Sequence, residues 1–176
     1  FEKTSVANSA GWWQYLAVAD ADGDGDMDVF AGNYGLNSKL RASTAHPLRL
    51  YGKDIDGNGQ ADLLLSYSNA AGEYPFMGKD ELEMQLPSLK KTFLDYRSFA
   101  GKTIPEIFGS QLAQAPVLEV HTLGSSLFRN NGRGELLQEL LPAAMQKAPM
   151  FALLPVDLDN DGLTDLLGAG NMFGVS

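Results

Sequence analysis

Three short segments concentrate the oxygen donors of this chain. They read Asp20-Ala21-Asp22-Gly23-Asp24-Gly25-Asp26-Met27-Asp28, Asp54-Ile55-Asp56-Gly57-Asn58-Gly59-Gln60-Ala61-Asp62 and Asp157-Leu158-Asp159-Asn160-Asp161-Gly162-Leu163-Thr164-Asp165. Counted from the first carboxylate, positions 1, 3, 5 and 9 carry oxygen side chains in every copy, and position 6 is always glycine. A hard cation of calcium's size collects six to eight oxygens, and alternate residues of a tight loop can converge on it. Position 7 (Asp26, Gln60, Leu163) has no common side chain, as expected if it offers only its backbone carbonyl. Glycine at position 6 permits a sharp turn with φ > 0. Four or five carboxylates crowded together repel one another unless a cation sits among them. Asp-Gly turns occur for their own sake, but three copies in one register point to metal. The expectation is about three calcium ions per chain.

The charge distribution agrees. The net charge is −9, with 22 acidic residues against 13 Lys plus Arg. Twelve of the acidic residues are the Asp of the three loops, so the remaining 10 face 13 basic residues and the rest of the chain stands near +3. The acidity is local, which favours a bound cation over a generally acidic surface. No basic cluster with interleaved aromatics appears, which argues against nucleic acid. There is no cysteine, so disulfides, Cys-ligated zinc and thiol chemistry are excluded. No run reaches the roughly 20 apolar residues of a membrane span. The opening Phe1-Glu2-Lys3-Thr4-Ser5 shows neither an initiator Met nor the pattern of a signal peptide, and reads as the start of a processed or excised segment.

The elements around the loops decide which kind of calcium site this is. An EF-hand needs a bidentate Glu at position 12 and flanking helices. Here position 12 is Ala31, Leu65 and Gly168. The flanks are short apolar or alternating runs: Tyr15–Ala19, Leu48–Tyr51 and Phe151–Leu154 enter, and Met27–Phe30 and Leu63–Leu65 leave. Such runs on both sides of a tight turn describe β-hairpins, each capped by one loop. A further hairpin is expected where Asn131-Gly132 gives a type I′ turn signal between apolar residues.

These loops resemble the FG-GAP/VCBS repeats of integrin α-subunit propellers and bacterial surface proteins. Leu127-Phe128-Arg129-Asn130-Asn131-Gly132-Arg133-Gly134 is similar to the second signature of VCBS repeats, although Leu136 stands where the family usually has an aromatic. The resemblance covers about 1–70 and 116–176. It implies a mainly β fold of propeller blades, in which each loop joins two strands of one blade. The loops lie 34 and then 103 residues apart. The glycine-rich exit recurs as Ala31-Gly32-Asn33-Tyr34-Gly35 and Ala169-Gly170-Asn171-Met172-Phe173-Gly174, but the second repeat has only Asn69-Ala70-Ala71-Gly72.

Residues 76–115 differ in character. Asp80-Glu81-Leu82-Glu83 resembles a capping box, and Leu82, Leu86, Leu89, Phe93 and Tyr96 follow at helical spacing. Pro87 should divide the helix. Thr103-Ile104-Pro105-Glu106 is a second start and Gly109 its stop. The domain reading is therefore two β repeats at 1–75, a helical insertion at 76–115, and a hairpin with the third calcium repeat at 116–176, all in one incomplete propeller-type domain. At roughly 40–50 residues per repeat there is length for about three blades, an open arc with free edges that favour self-association.

The function that follows is a non-enzymatic calcium-binding module for binding or scaffolding of an extracellular protein or glycan. Millimolar external calcium would fill sites of this class and cytosolic calcium would not, which places the chain in a secreted, periplasmic or cell-surface setting. The alternative is a propeller-based polysaccharide lyase or glycoside hydrolase, with Glu73, Glu81, Glu83 and Glu106 as available carboxylates. No nucleophile, base and orienting group stand at recognisable spacing. A calcium-triggered switch is the third reading, weakened because hairpins lack the paired helices that open. His46 and His121 stand apart from any ligand spacing, and Trp12-Trp13 is divided between a core and a surface role.

Overall fold

The computed structural model describes residues 6–171, so the opening pentapeptide and Met172–Gly174 of the last exit segment lie outside the described residues. In chain order, β1 (Tyr15–Ala19) and β2 (Asp28–Gly32) form a hairpin. They are followed by β3 (Leu48–Lys53), β4 (Asp62–Asn69) and β5 (Gly72–Pro75). Four short helices come next: α1 (Lys79–Gln85), α2 (Leu89–Thr92), α3 (Tyr96–Phe99) and α4 (Ile104–Phe108). The chain then returns to strands β6 (Val117–Val120), β7 (Ser126–Asn130), β8 (Leu136–Leu140), β9 (Met150–Val156) and β10 (Asp165–Gly170). The fold is mainly β, its sheets are antiparallel, and among the described residues none closes on itself.

Two compact units result. One is built from the two ends of the chain, up to Arg41 and from His121 onward; the other spans Ala42–Val120. In the end-built unit the sheet order is β1-β2-β7-β8, so β7 pairs with β2 across the whole of the intervening unit. Strand alternation sends Ala17, Phe30 and Leu127 to one face, where they join Met150 and Leu153 of β9 in a buried cluster. Gly32 is needed at this contact. A Cβ there would stand 2.4 Å from the Met150 carbonyl oxygen, so only glycine allows the approach. Asn33, fully buried, then ties the exit of β2 to the start of β9 by accepting the Met150 N–H at 3.0 Å. On the other face Val18, Val29 and Phe128 form a row, with Trp13 edge-on to Phe128 at 5.4 Å. Trp12 lies just before β1 and packs edge-on against Tyr34 at 5.2 Å.

The second unit orders its sheet β5-β4-β3-β6. Leu64 points at the helices and is buried with Leu82, Leu86, Leu89, Phe93, Ile104, Ile107 and Phe108. Its neighbour Leu63 points the other way and is 54% exposed. Pro87 falls between α1 and α2, where a ring in mid-helix would clash with the preceding turn. α1 starts two residues earlier than its capping signal suggests: Gly78 is the N-cap, and its N–H donates to Glu81 at 2.9 Å. Tyr96 is 62% exposed and opens α3, so the helical stripe ends at Phe93. α4 is capped by Thr103 and stops at Gly109, whose φ of 52° suits glycine.

The turn at Asn131-Gly132 departs from the type I′ expectation. That turn needs φ > 0 at both central residues, and of the two only Gly132 has it. The connection from Asn130 to Leu136 is instead a wider loop folded around Asn131, whose Oδ1 accepts from the N–H groups of Arg133 at 2.9 Å and Glu135 at 3.3 Å. An Asn side chain that captures local N–H groups competes with the tight turn.

Candidate metal centres

Each acidic segment is the connection inside one antiparallel hairpin: β1–β2, β3–β4 and β9–β10. The three are built alike. The position-1 carboxylate accepts from the position-6 glycine, Gly25 to Asp20 at 3.0 Å, Gly59 to Asp54 at 2.8 Å and Gly162 to Asp157 at 3.0 Å. The position-5 side chain accepts from the position-7 N–H at 2.8 Å in every loop, through Asp24, Asn58 and Asp161. Position 9 reaches back to the position-2 N–H: Asp28 to Ala21 at 2.9 Å, Asp62 to Ile55 at 2.9 Å, and Asp165 to Leu158 at 3.1 Å. These side-chain bonds pull nine residues into a ring without any ladder of backbone pairs.

That ring turns the carboxylates of positions 1, 3 and 9 inward. Oxygens of Asp20, Asp22 and Asp28 lie within 4.8 Å of one another, and so do those of Asp54, Asp56 and Asp62 and those of Asp157, Asp159 and Asp165. The donor set is oxygen alone, with no His or Cys in any cluster. Each group is one that could hold a metal ion, and hard oxygen donors of this kind suit Ca²⁺, Mg²⁺ or Mn²⁺ better than zinc. The side chains of Asp24, Asn58 and Asp161 are spent on the N–H groups of Asp26, Gln60 and Leu163, each keeping further lone pairs.

Position 4 is a feature that counting oxygens does not show. Gly23, Gly57 and Asn160 have φ of 78°, 75° and 61°, and the position-6 glycines Gly25, Gly59 and Gly162 have 92°, 88° and 87°. Two left-handed residues per loop set its curvature, and the sequence signal is Gly, Gly, Asn, the residues that tolerate that region.

The loops differ in what surrounds them. Asp28 is buried and accepts a second bond, from the Asn130 N–H of β7 at 2.8 Å. Asp22 pairs with Arg129 at 2.7 Å, which also holds Glu139 at 3.2 Å. In the second loop Asp62 is buried as well, whereas Asp165 in the third is only half-buried. Donated N–H groups hold two carboxyls below the ordinary aspartate value: Gly25 foremost and then Gly23 at Asp20, and Gly59 foremost and then Gly57 at Asp54.

The glutamates available to a glycosidase are engaged elsewhere. Glu73 accepts from Arg49 at 2.9 Å, from Tyr51 at 2.8 Å and from Ser66. Burial, with Glu73 adding to it, pushes the Tyr51 hydroxyl up to about 12. Glu83 pairs with Lys79, Glu81 caps α1, and Glu106 pairs with Lys102 at 3.0 Å.

No family model, curated protein or solved structure matches this chain. Among the described residues no helix is long and apolar enough to cross a membrane.

Proposed function

We propose that the chain is a calcium-binding β-repeat module of the FG-GAP/VCBS kind, non-enzymatic, and used outside the cytosol to bind or scaffold a protein or glycan. The observation that carries this reading is the threefold recurrence of one loop geometry, with three carboxylates facing one another in each copy. Calcium is preferred among hard cations because it accepts irregular shells of six to eight oxygens. Magnesium demands a near-ideal octahedron and keeps its waters. Repulsion within each cluster supplies the drive for binding.

Energetics favour an external setting. Sites of extracellular modules have Kd of roughly 10⁻⁴–10⁻³ M. Occupancy at ten times Kd contributes about 1.4 kcal/mol per site, so three sites contribute about 4 kcal/mol. That is a large share of the roughly 5–15 kcal/mol that holds a domain together. The four-stranded sheets are read as propeller-type blades in an open arrangement. Leu16 and Val18, 61% and 60% exposed, form part of an apolar face that another blade or chain would cover.

Thermal melts test the cation. The melting temperature is expected to rise with millimolar calcium and to fall with chelator, with magnesium giving a smaller rise at equal concentration. Zinc or magnesium stabilising more than calcium would overturn the assignment.

A further inference from the structure

The calcium loops of β1–β2 and β9–β10 touch directly. The Thr164 hydroxyl, at position 8 of the last loop, donates to the backbone carbonyl of Asp20 at 2.7 Å, across 144 residues of chain. Asp20 is the residue whose side chain opens the first cluster. The equivalent positions of the other loops are Met27 and Ala61, which have no hydroxyl. Both loops are also rooted in one core. Ala19 and Ala21 flank Asp20 and pack on the cluster of Phe30, Leu127, Met150 and Leu153, and Leu166, next to Asp165, packs on the same cluster. The loop of Asp54–Asp62 belongs to the other unit, with Ile55 on a separate core.

Resting on the reading of these loops as calcium sites, we propose that the first and third sites bind cooperatively through the Thr164–Asp20 hydrogen bond, and that the second binds independently. Calcium in the third loop fixes Asp165 and with it the adjacent Thr164. A fixed Thr164 holds the Asp20 carbonyl, so the Asp20 carboxylate is already placed when the first site fills. Linkage makes the effect reciprocal: the factor by which the third ion tightens the first is the factor by which the first tightens the third. A single hydrogen bond supplies about a two- to tenfold effect.

The glycine amides make each loop separately visible. Gly25, Gly59 and Gly162 each donate to the position-1 carboxylate of their own loop, so each N–H resonance follows its own site as calcium chloride is added to the chelated chain. Asp159→Asn weakens the third site directly. It is expected to raise the calcium midpoint seen at Gly25 about two- to tenfold while leaving Gly59 unchanged. Thr164→Val removes the hydroxyl at constant shape and should give the same rise at Gly25. In the double variant Asp159→Asn should add nothing further there. Thr164→Ser keeps the hydroxyl and should keep the coupling. A Gly25 midpoint indifferent to Asp159→Asn, with all sites still binding, would overturn the coupling alone. Absence of any calcium response at the three glycines would overturn the calcium reading and the coupling with it.

Discussion

At the scale of single residues, the loops separate two jobs that the sequence pattern runs together. Positions 1, 3 and 9 bring carboxylates face to face, while position 5 steadies the backbone at position 7. Asp24 therefore serves the loop as a turn-former as well as a source of charge. Asp24→Ala is expected to lower the melting temperature in calcium by the equivalent of about 1–2 kcal/mol, the order of a lost capping bond or a tenfold loss of occupancy. In chelator the loss should be smaller, because removing one carboxylate also relieves repulsion. Equal losses in both buffers would show that Asp24 acts through turn geometry alone. Outside the loops, Glu106 offers a pH test. The Thr103 N–H, then Lys102 and the Thr103 hydroxyl, hold its carboxyl down to about 2. Because the folded value lies below the ordinary 4.5, its contribution to stability is fully present above that value and is lost as pH falls toward about 2. A carboxyl-carbon NMR titration should place the Glu106 midpoint well below the ordinary 4.5; an ordinary midpoint would show that the cap at Thr103 is not formed in solution.

At the scale of elements, short-range signals were the readable ones. The hairpins around each loop follow from residues close along the chain, and so do Pro87 between helices and the stop at Gly109. The left-handed position 4 was also present in the residue types, as Gly23, Gly57 and Asn160, but it carries no oxygen chemistry and so is missed when donors alone are counted. The turn after β7 departs from its local signal because Asn131-Gly132 serves two turn chemistries, and the side chain of Asn131 selects the wider one. Glycines with different reasons for being glycine should respond differently to substitution. Gly162→Ala meets no atom within 4 Å, and its cost comes from a φ of 87°, about 1–2 kcal/mol. Gly32→Ala drives a Cβ into the Met150 carbonyl and should cost more, about 3 kcal/mol or above, because β2 and β9 must separate. Chemical denaturation of the two variants in calcium should rank them in that order, and the reverse order would contradict the packing of β9 on the first sheet.

At the scale of the whole molecule, the pairing of β7 with β2 could not be read from the chain. The partners Val29 and Phe128 are separated by a complete compact unit, and no local pattern encodes which distant strand an edge accepts. The same holds for Thr164 and Asp20: a threonine in an acidic loop carries no sign of a partner 144 residues away. The three acidic loops were legible throughout, because their chemistry lies within nine residues, and two of them stand in the end-built unit and one in the Ala42–Val120 unit. The measurement that bears most directly on this account is calorimetric titration of the chelated chain with calcium. It is expected to show about three sites per chain, with Kd of roughly 10⁻⁴–10⁻³ M, and a stoichiometry near two after Asp54→Asn and Asp56→Asn together remove the site of the Ala42–Val120 unit. A chain that takes up no calcium, or whose stoichiometry is unchanged by those two substitutions, would contradict the claim that these loops are its metal sites.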